Sequence, residues 1–315
     1  VHQVLIEKSV KGFKEIEFEM MRDGQDNVIT ICGMENIDPV GVHTGDSAVV
    51  APILSLNEHD LKMLNDSAIK LIRALEIEGG CNVQFALSPD SSEYYLIEVN
   101  PRVSRSSALA SKASGYPIAK VTAKIAVGMT LDEIKIANTT ADFQPRLDYI
   151  VAKFPRFPFD KFANASNVLG TQMKATGEVM GIGSTLSECM LKSVRSLEIG
   201  VCHIHMPKFD NKSAEELYDY IKDFRDDNIF AIAELLRLGE SVEKLHKATK
   251  ITEIFLETLK DIVNMENKLK NNVNDLEVLK EAKIVGFSDK FIAKLWNKKE
   301  IEVWLFLLMF LQIIF

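Results

Sequence analysis

The segment from Asn82 to Asn100 constrains the fold of this 315-residue chain more than any other part. Two short, mainly apolar runs, 82–87 and 94–97, lie on either side of a polar stretch, 88–93, that is rich in turn-forming residues. Strand-length runs separated by a polar turn predict a β-hairpin with a medium-length loop. The chain is therefore expected to contain an antiparallel sheet.

Side chains alternate between the two faces of a β-strand, so the hairpin should have an apolar and a polar face. The apolar face is predicted to hold Val83, Phe85, Leu87, Ile97 and Val99. The polar face is predicted to hold Gln84, Glu98 and Asn100. Carboxylate and amide oxygens suit a hard cation such as Mg²⁺, which often also binds nucleotide phosphates.

Arg102 and Arg105 follow directly after the second strand. Guanidinium groups there are suited to bidentate binding of anionic oxygens. Two simpler interpretations stay open at this point. The polar face of the hairpin can be merely hydrated, because such alternation is common, and arginines at strand ends often form surface ion pairs with carboxylates.

Further motifs make the chain resemble a known family. In chain order they are 12–15 (GFKE), 34–36 (MEN), 41–47 (GVHTGDS), 82–86 (NVQFA), 97–102 (IEVNPR), 104–113 (SRSSALASKA) and 173–183 (MKATGEVMGIG). Together they resemble the ATP-grasp region of the carbamoyl-phosphate synthetase large subunit. Thr44 and the serine-rich run around Arg105 are similar to the first half of that duplicated subunit. The likeness covers approximately residues 4–296.

The resemblance implies an ATP-dependent ligase that phosphorylates bicarbonate to carboxyphosphate, which ammonia from a glutaminase small subunit then converts to carbamate. Arg102 and Arg105 would be the catalytic residues that position bicarbonate. The implied nucleotide-binding residues are Val10, Glu15, Gly41, Val42, His43, Gln84 and Glu98. The implied metal ligands are Gln84, Glu98 and Asn100 for Mg²⁺ or Mn²⁺, and Glu15, Asn36, Ser47 and Glu98 for K⁺. Arginine and pyrimidine synthesis would use the product.

Two other motifs are expected to have structural roles. Glu15, Glu17 and Glu19 alternate with apolar residues, and three carboxylates on one strand face are typical of a hydrated surface. We expect this for Glu17 and Glu19, whereas Glu15 falls in a motif of the family. The glycines between 177 and 183 do not have the spacing of a dinucleotide-binding or P-loop fingerprint and predict strand-end packing.

The overall pattern predicts an α+β fold followed by helices only. Strands are predicted at 4–6, 15–20, 28–31 and 148–154, with helices at 60–75 and 187–197. After residue 207, helices are predicted at 213–223, 228–238, 242–248, 252–269 and 275–285. We therefore expect the C-terminal part of an ATP-grasp domain at 1–205, an all-helical oligomerisation domain at 206–302, and an atypical apolar tail at 303–315.

The resemblance also implies that the chain is an internal fragment that is inactive alone. The family has a glycine-rich phosphate loop and two nucleotide-binding arginines before the position of Val1, and a second synthetase half after the helical domain. The remaining parts of the large subunit would then be partners, along with further copies bound through the helical domain. The tail suggests a truncated or frame-shifted end, or an incomplete gene product.

Composition excludes several other classes of protein. A net charge of −8 argues against a large nucleic-acid-binding surface. The four cysteines lack zinc-type spacing, and no secretory signal opens the chain, which together favour free thiols and a cytoplasmic location. The apolar tail is shorter than the about 20 residues that a bilayer span needs, so membrane anchoring is disfavoured. Two further classes stay open, a biotin carboxylase-type ligase and a non-catalytic assembly module.

Overall fold

The computed structural model describes residues 3–4, 6–162 and 164–311. Contacts within the chain define two compact units. Unit 1 comprises residues 1–45, 51–146 and 170–172, and unit 2 comprises 46–50, 147–169 and 173–315, in each case as far as they are described. The domain boundary at residue 205 stays a prediction.

Unit 1 contains an antiparallel sheet with the strand order β5-β4-β1-β2. Its strands are β1 (Lys14–Arg22), β2 (Val28–Asn36), β4 (Gly79–Leu87) and β5 (Tyr94–Asn100). Its helices are α1 (Glu58–Ala74), α2 (Arg105–Ser114) and α3 (Ile118–Ile125), and a small hairpin joins β6 (Lys135–Ile136) to β7 (Thr139–Thr140). The predicted 82–100 hairpin is thus present as β4 and β5.

One face of this sheet forms the apolar core with α1. Asn57 caps the helix by accepting a 2.8 Å hydrogen bond from the backbone of Asp60. Leu64, Ala68 and Ile72 follow at intervals of four, which puts them on one stripe, and all three are buried. They pack in one cluster with the inward residues of β1 and β4. This packing leaves the opposite sheet face for polar side chains.

Two predictions about strands are corrected by the structure. The β4–β5 register shifts between Gln84 and Phe85, so Leu96 rather than Ile97 lies opposite Phe85. A β-bulge of this kind inserts one residue and locally reverses the alternation of faces. The strand predicted at 4–6 is also wrong where it can be judged: Val4 and Ile6 are exposed and outside any strand, and Leu5 lies outside the described residues.

Unit 2 contains three strands that lie in the order β3-β8-β9. They are β3 (Val49–Ala51, whose last residue belongs to unit 1), β8 (Ile150–Arg156) and β9 (Gly177–Gly183). Helix α4 (Leu186–Ser196) packs on β8 and β9. The later helices are α5 (Ala214–Ile221), α6 (Asn228–Arg237), α7 (Val242–Thr249), α8 (Glu253–Asn271), α9 (Leu276–Val285), α10 (Asp289–Trp296) and α11 (Glu300–Leu311). No strand occurs between residues 207 and 311, so the α+β fold with a helical C-terminal part is confirmed.

A buried ion pair lies inside the helical part of unit 2. The Glu266 carboxylate accepts hydrogen bonds from His203 Nε2 at 2.9 Å and from Arg237 Nη2 at 2.7 Å. Burial opposes ionisation of Glu266, but these partners outweigh it and lower its pKa to about 2. Arg237 of α6 and Glu266 of α8 are thereby joined, and removing either one would leave the other as a costly buried charge.

Helix α11 runs through the predicted limit at residue 302. Val303 is buried, and the rings of Trp296 and Phe306 meet edge to face with centroids 6.2 Å apart. The start of the apolar tail therefore packs against α10. In the described part of the chain, no helix has both the length and the apolar character needed to cross a bilayer.

Gly181 allows α4 to pack closely on β9, as the predicted packing role of this glycine-containing segment requires. A Cβ atom added at Gly181 would lie 2.3 Å from the carbonyl oxygen of Cys189, which is backbone and cannot swing away. We predict that Gly181→Ala lowers the free energy of unfolding by about 2–3 kcal/mol through overpacking. Denaturant unfolding measures this loss.

The same strand offers a matched control. A Cβ atom at Gly177 would have its nearest neighbour, Arg156 Cβ, at an ordinary 3.9 Å. Gly177→Ala should therefore leave the free energy of unfolding within about 0.5 kcal/mol of its original value. Equal effects of the two substitutions would contradict the packing role of Gly181.

Candidate active site

The polar face of the unit 1 sheet carries two rows of side chains across its strands. In the first row, Glu98 pairs with Gln84, which pairs with Glu17. In the second row, Asn100 pairs with Asn82, which pairs with Glu19. Paired residues on neighbouring strands point to the same face. Gln84, Glu98 and Asn100 therefore share one face, as predicted.

Asn82 connects the two rows through its side-chain amide. Its Nδ2 donates hydrogen bonds of 3.0 Å to both Glu17 Oε2 and Glu19 Oε1. Its Oδ1 accepts a 2.9 Å hydrogen bond from Gln84 Nε2. Gln84 Nε2 also lies 3.5 Å from Glu17 Oε2. All four side chains are at least nine-tenths buried.

The expectation that Glu17 and Glu19 are hydrated is wrong. Glu19 is completely buried and Glu17 is nearly so, because helix α2 packs on this face, where Ser107 Oγ contacts Glu19. Burial raises the pKa of Glu19 to about 8, even though hydrogen bonds from Ser107 and Asn82 favour its ionised form. The negative charge of neighbouring Glu17 adds to the rise. Glu19 is thus largely protonated at neutral pH.

A second chain of hydrogen bonds runs along the end of β5. Asn100 Nδ2 donates to Glu98 Oε1 at 2.6 Å, and Asn100 Oδ1 accepts from Arg102 Nη2 at 3.2 Å. Glu98 and Arg102 are exposed, so both can meet a ligand. Within the described residues, Arg102 forms no ion pair with a carboxylate. The simpler interpretation of Arg102 as one half of a surface ion pair is therefore not what the structure has.

Arg105 is the first residue of α2, and the preceding Ser104 caps that helix. Ser104 Oγ accepts from the backbone of Ser107 at 3.3 Å, while Ser107 Oγ accepts from the backbone of Ser104 at 2.9 Å, which forms a capping box. Ser107 Oγ also donates to Glu19 Oε2 at 2.9 Å. The sheet therefore holds the helix end that presents Arg105.

The predicted nucleotide-binding residues at the start of unit 1 lie on two connected segments. Gly12 N donates to Val40 O, and Val40 N donates to Phe13 O, which ties the chain after Val10 to the chain before Gly41. Gly41 has φ +131°, a conformation that favours glycine. Val42 is buried, whereas the side chain of His43 is exposed.

The predicted K⁺ ligands include several buried groups. Glu15 accepts a hydrogen bond from Thr44 Oγ1. Asn36 is 3% exposed, and neither its amide nitrogen nor its oxygen has a partner among the described residues. Ser47, in unit 2, has a buried hydroxyl that likewise lacks a partner within the described ranges. Buried polar atoms of this kind usually have a partner such as water or an ion.

The donor set fits a hard divalent cation in its chemistry. Gln84, Glu98 and Asn100 present one carboxylate and two amide groups on one face. The described residues contain no cluster of three or more His, Cys, Asp or Glu side chains that can hold a metal. The site therefore depends on amide oxygens, and the role of each residue as a ligand stays a prediction.

The sequence reasoning missed Asn82 and Ser107, and it assigned Glu17 and Glu19 to the surface. The available signal was the spacing of Asn82 and Gln84, which are two residues apart and so share a face. The partner of that face was not visible, because the pairing of β1 with β4 joins segments about 65 residues apart.

Two family models match the chain. Residues 1–134 match "Carbamoyl-phosphate synthase L chain, ATP binding domain", and residues 178–306 match "Carbamoyl-phosphate synthetase large chain, oligomerisation domain". The first match contains β1, β4 and β5, which carry the polar rows, and α2, which begins with Arg105. These matches agree with the observed fold, an ATP-grasp fragment followed by a helical C-terminal part.

Several solved structures are similar to parts of the chain. They include the multifunctional pyruvate carboxylase of Rhizobium etli (18% identity, 61% of this chain and 22% of that chain, TM-score 0.48). A second is the biotin carboxylase domain of Hydrogenobacter thermophilus 2-oxoglutarate carboxylase in complex with MgADP, ADP and bicarbonate (17% identity, 61% of this chain and 46% of that chain, TM-score 0.45). A third is a biotin carboxylase subunit of pyruvate carboxylase (15% identity, 81% of this chain and 55% of that chain, TM-score 0.47). This chain spans little more than half of their length at most.

The raised pKa of Glu19 predicts a pH-dependent stability. A carboxyl group whose pKa is higher in the folded state destabilises the fold progressively as pH rises from about 4.5 towards 8. Glu19→Gln removes the ionisation, so it should raise the melting temperature more at pH 9 than at pH 6. A gain of several degrees at pH 9 is expected from about 1–2 kcal/mol.

Glu178 provides the control, because it is an exposed glutamate on a strand. Glu178→Gln also replaces one carboxyl group by an amide but should shift the melting temperature by the same small amount at both pH values. A gain for Glu19→Gln that is independent of pH would contradict the shifted ionisation.

Proposed function

We propose that this chain is part of a carbamoyl-phosphate synthetase and that its unit 1 phosphorylates bicarbonate with ATP. The observation that carries the proposal is the polar face on which Gln84, Glu98 and Asn100 lie together, with Arg102 and Arg105 just beyond it. The two family matches, to the ATP-binding and oligomerisation domains of the same large chain, support it.

The arrangement suits phosphoryl transfer, which depends on positioning and on neutralising charge. Gln84, Glu98 and Asn100 would hold Mg²⁺ or Mn²⁺, which supplies charge neutralisation for the phosphates when bound. Arg102 and Arg105 would orient bicarbonate, whose oxygens match the planar guanidinium donors. The capping box at Ser104 and Ser107 fixes the direction from which Arg105 approaches.

Nucleotide binding is assigned to the connected segments around Val10 and Gly41–His43, with Glu15 on the ribose. The buried polar atoms of Asn36 and Ser47, with Glu15 and Glu98, are proposed to serve K⁺. A glutaminase subunit would supply ammonia, the remaining parts of the large subunit would complete the reaction, and the helical region would bind further copies. A cytoplasmic location is part of the same proposal.

The Glu98 carboxylate provides the first test. In the intact synthetase, Glu98→Gln should lower bicarbonate-dependent ATP hydrolysis by about 100-fold or more, the usual scale for losing a charge-stabilising group. The fold should be unaffected, because Glu98 is exposed. Steady-state ADP release with and without bicarbonate measures the effect. Near-normal hydrolysis by the variant would refute the assignment.

Arg102 provides the second test. Arg102→Lys keeps the charge but loses the planar donor pair. We expect bicarbonate-dependent turnover to fall by about 100-fold, while the KM for ATP changes by less than about threefold, because the lost contacts are to bicarbonate. Parallel kinetics and thermal melting check this. Equal losses in both parameters, or a melting temperature low enough to explain the lost rate, would show that Arg102 supports the fold instead.

A further inference from the structure

We propose that Asn82 is a positioning residue that fixes the amide orientation of Gln84, so that the carbonyl oxygen of Gln84 is presented to the divalent cation. This inference rests on the proposed function, because it concerns the same metal-binding face. Asn82 lies on the same face, but its amide is buried and bonded to Glu17, Glu19 and Gln84, so it would not be a ligand.

Two buried acidic side chains lie next to Asn82 on the polar face. Glu17 and Glu19 accept hydrogen bonds from the amide nitrogen of Asn82. A carboxylate accepts hydrogen bonds and an amide oxygen cannot donate one. If the Asn82 amide were reversed, its oxygen would face Glu17 Oε2, and only a protonated Glu19 could donate to it. The acidic pair therefore sets the orientation of Asn82.

The orientation of Asn82 then sets that of Gln84. With Nδ2 turned towards the acids, Asn82 presents Oδ1 to Gln84, which must donate through Nε2. A reversed Gln84 would place its own oxygen against Asn82 Oδ1 and near Glu17 Oε2. No described residue donates a hydrogen bond to Gln84 Oε1, so that oxygen is the one available for a ligand.

An amide ligand needs this control more than a carboxylate does. Both oxygens of a carboxylate can bind a cation, whereas an amide offers one oxygen and a nitrogen that cannot bind it. Groups that orient metal ligands typically contribute about 10–100-fold to metal affinity. Asn82 is the only side chain within the described residues that bonds both to Gln84 and to both buried acids.

The test is a double-mutant cycle on Mn²⁺ affinity in the intact synthetase, with Mn²⁺ alone titrated and followed by electron paramagnetic resonance. Asn82→Ala should raise the Kd of the site about tenfold. In the Gln84→Glu background the ligand no longer needs orienting, so Asn82→Ala should not weaken binding there. General destabilisation would act in both backgrounds alike, so equal weakening in the two would overturn the proposal.

Asn82→Ser is a second variant in case the alanine variant does not fold. Serine keeps a hydroxyl donor for the acids but lacks the amide oxygen that accepts from Gln84, so the same weakening is expected. Thr30→Val is a matched control on the other sheet face, where it removes a part-buried 2.6 Å hydrogen bond from Thr30 to Asn65. It should leave the Kd for Mn²⁺ unchanged, and a tenfold rise with this control would overturn the proposal.

Glu98→Gln separates this inference from the proposed function. If Glu98→Gln leaves Mn²⁺ binding intact, the metal site itself is misplaced and both proposals fail. If Glu98→Gln abolishes Mn²⁺ binding while Asn82→Ala and Asn82→Ser do not weaken it, the metal site stands and only the role of Asn82 is refuted.

Discussion

The burial of two carboxyl groups on β1 is the constraint on which the rest of unit 1 depends. Glu17 and Glu19 lie on the central part of the sheet, where water cannot solvate them, and leaving such groups without donors is costly. Asn82 and Ser107 supply donors, and Glu19 also lowers its charge through its raised pKa. These contacts link β1 to the neighbouring strand β4 and to helix α2.

The two faces of this sheet therefore have different physical roles. Burial of Phe18, Phe85 and the α1 stripe supplies stability through the hydrophobic effect. The polar face adds little net stability, because each buried hydrogen bond mainly offsets desolvation. Its value lies in fixed orientations, since a buried network in which every member has a partner has few alternative arrangements. Because the apolar face supplies the stability, the polar face can hold side chains in fixed orientations that add little stability.

Sequence reasoning predicted what depends on local pattern. Gln84 alternates with apolar neighbours, and Glu98 and Asn100 are two residues apart. This pattern placed all three on one face of a hairpin, where the structure has them. It failed where non-local pairing decides. The burial of Glu19 depends on strands far away in the chain, and the bulge opposite Phe85 displaces Ile97 without any glycine or proline signal. Helix α2 was not predicted, because its serines serve as caps and partners that only the folded sheet defines.

The composition of the proposed ligand set is consistent with the same constraint. With two acidic groups already buried on the same face, each further carboxylate would add repulsion and raise neighbouring pKa values. One exposed carboxylate, Glu98, avoids most of this, and amides complete the set without charge. Neutral ligands lose affinity unless they are oriented, and each amide here is held: Gln84 by Asn82, and Asn100 by Glu98 and Arg102. A face with few charges thus requires an ordered hydrogen-bond network. The two buried acids begin that network, because they set the orientation of the Asn82 amide, which in turn sets that of Gln84.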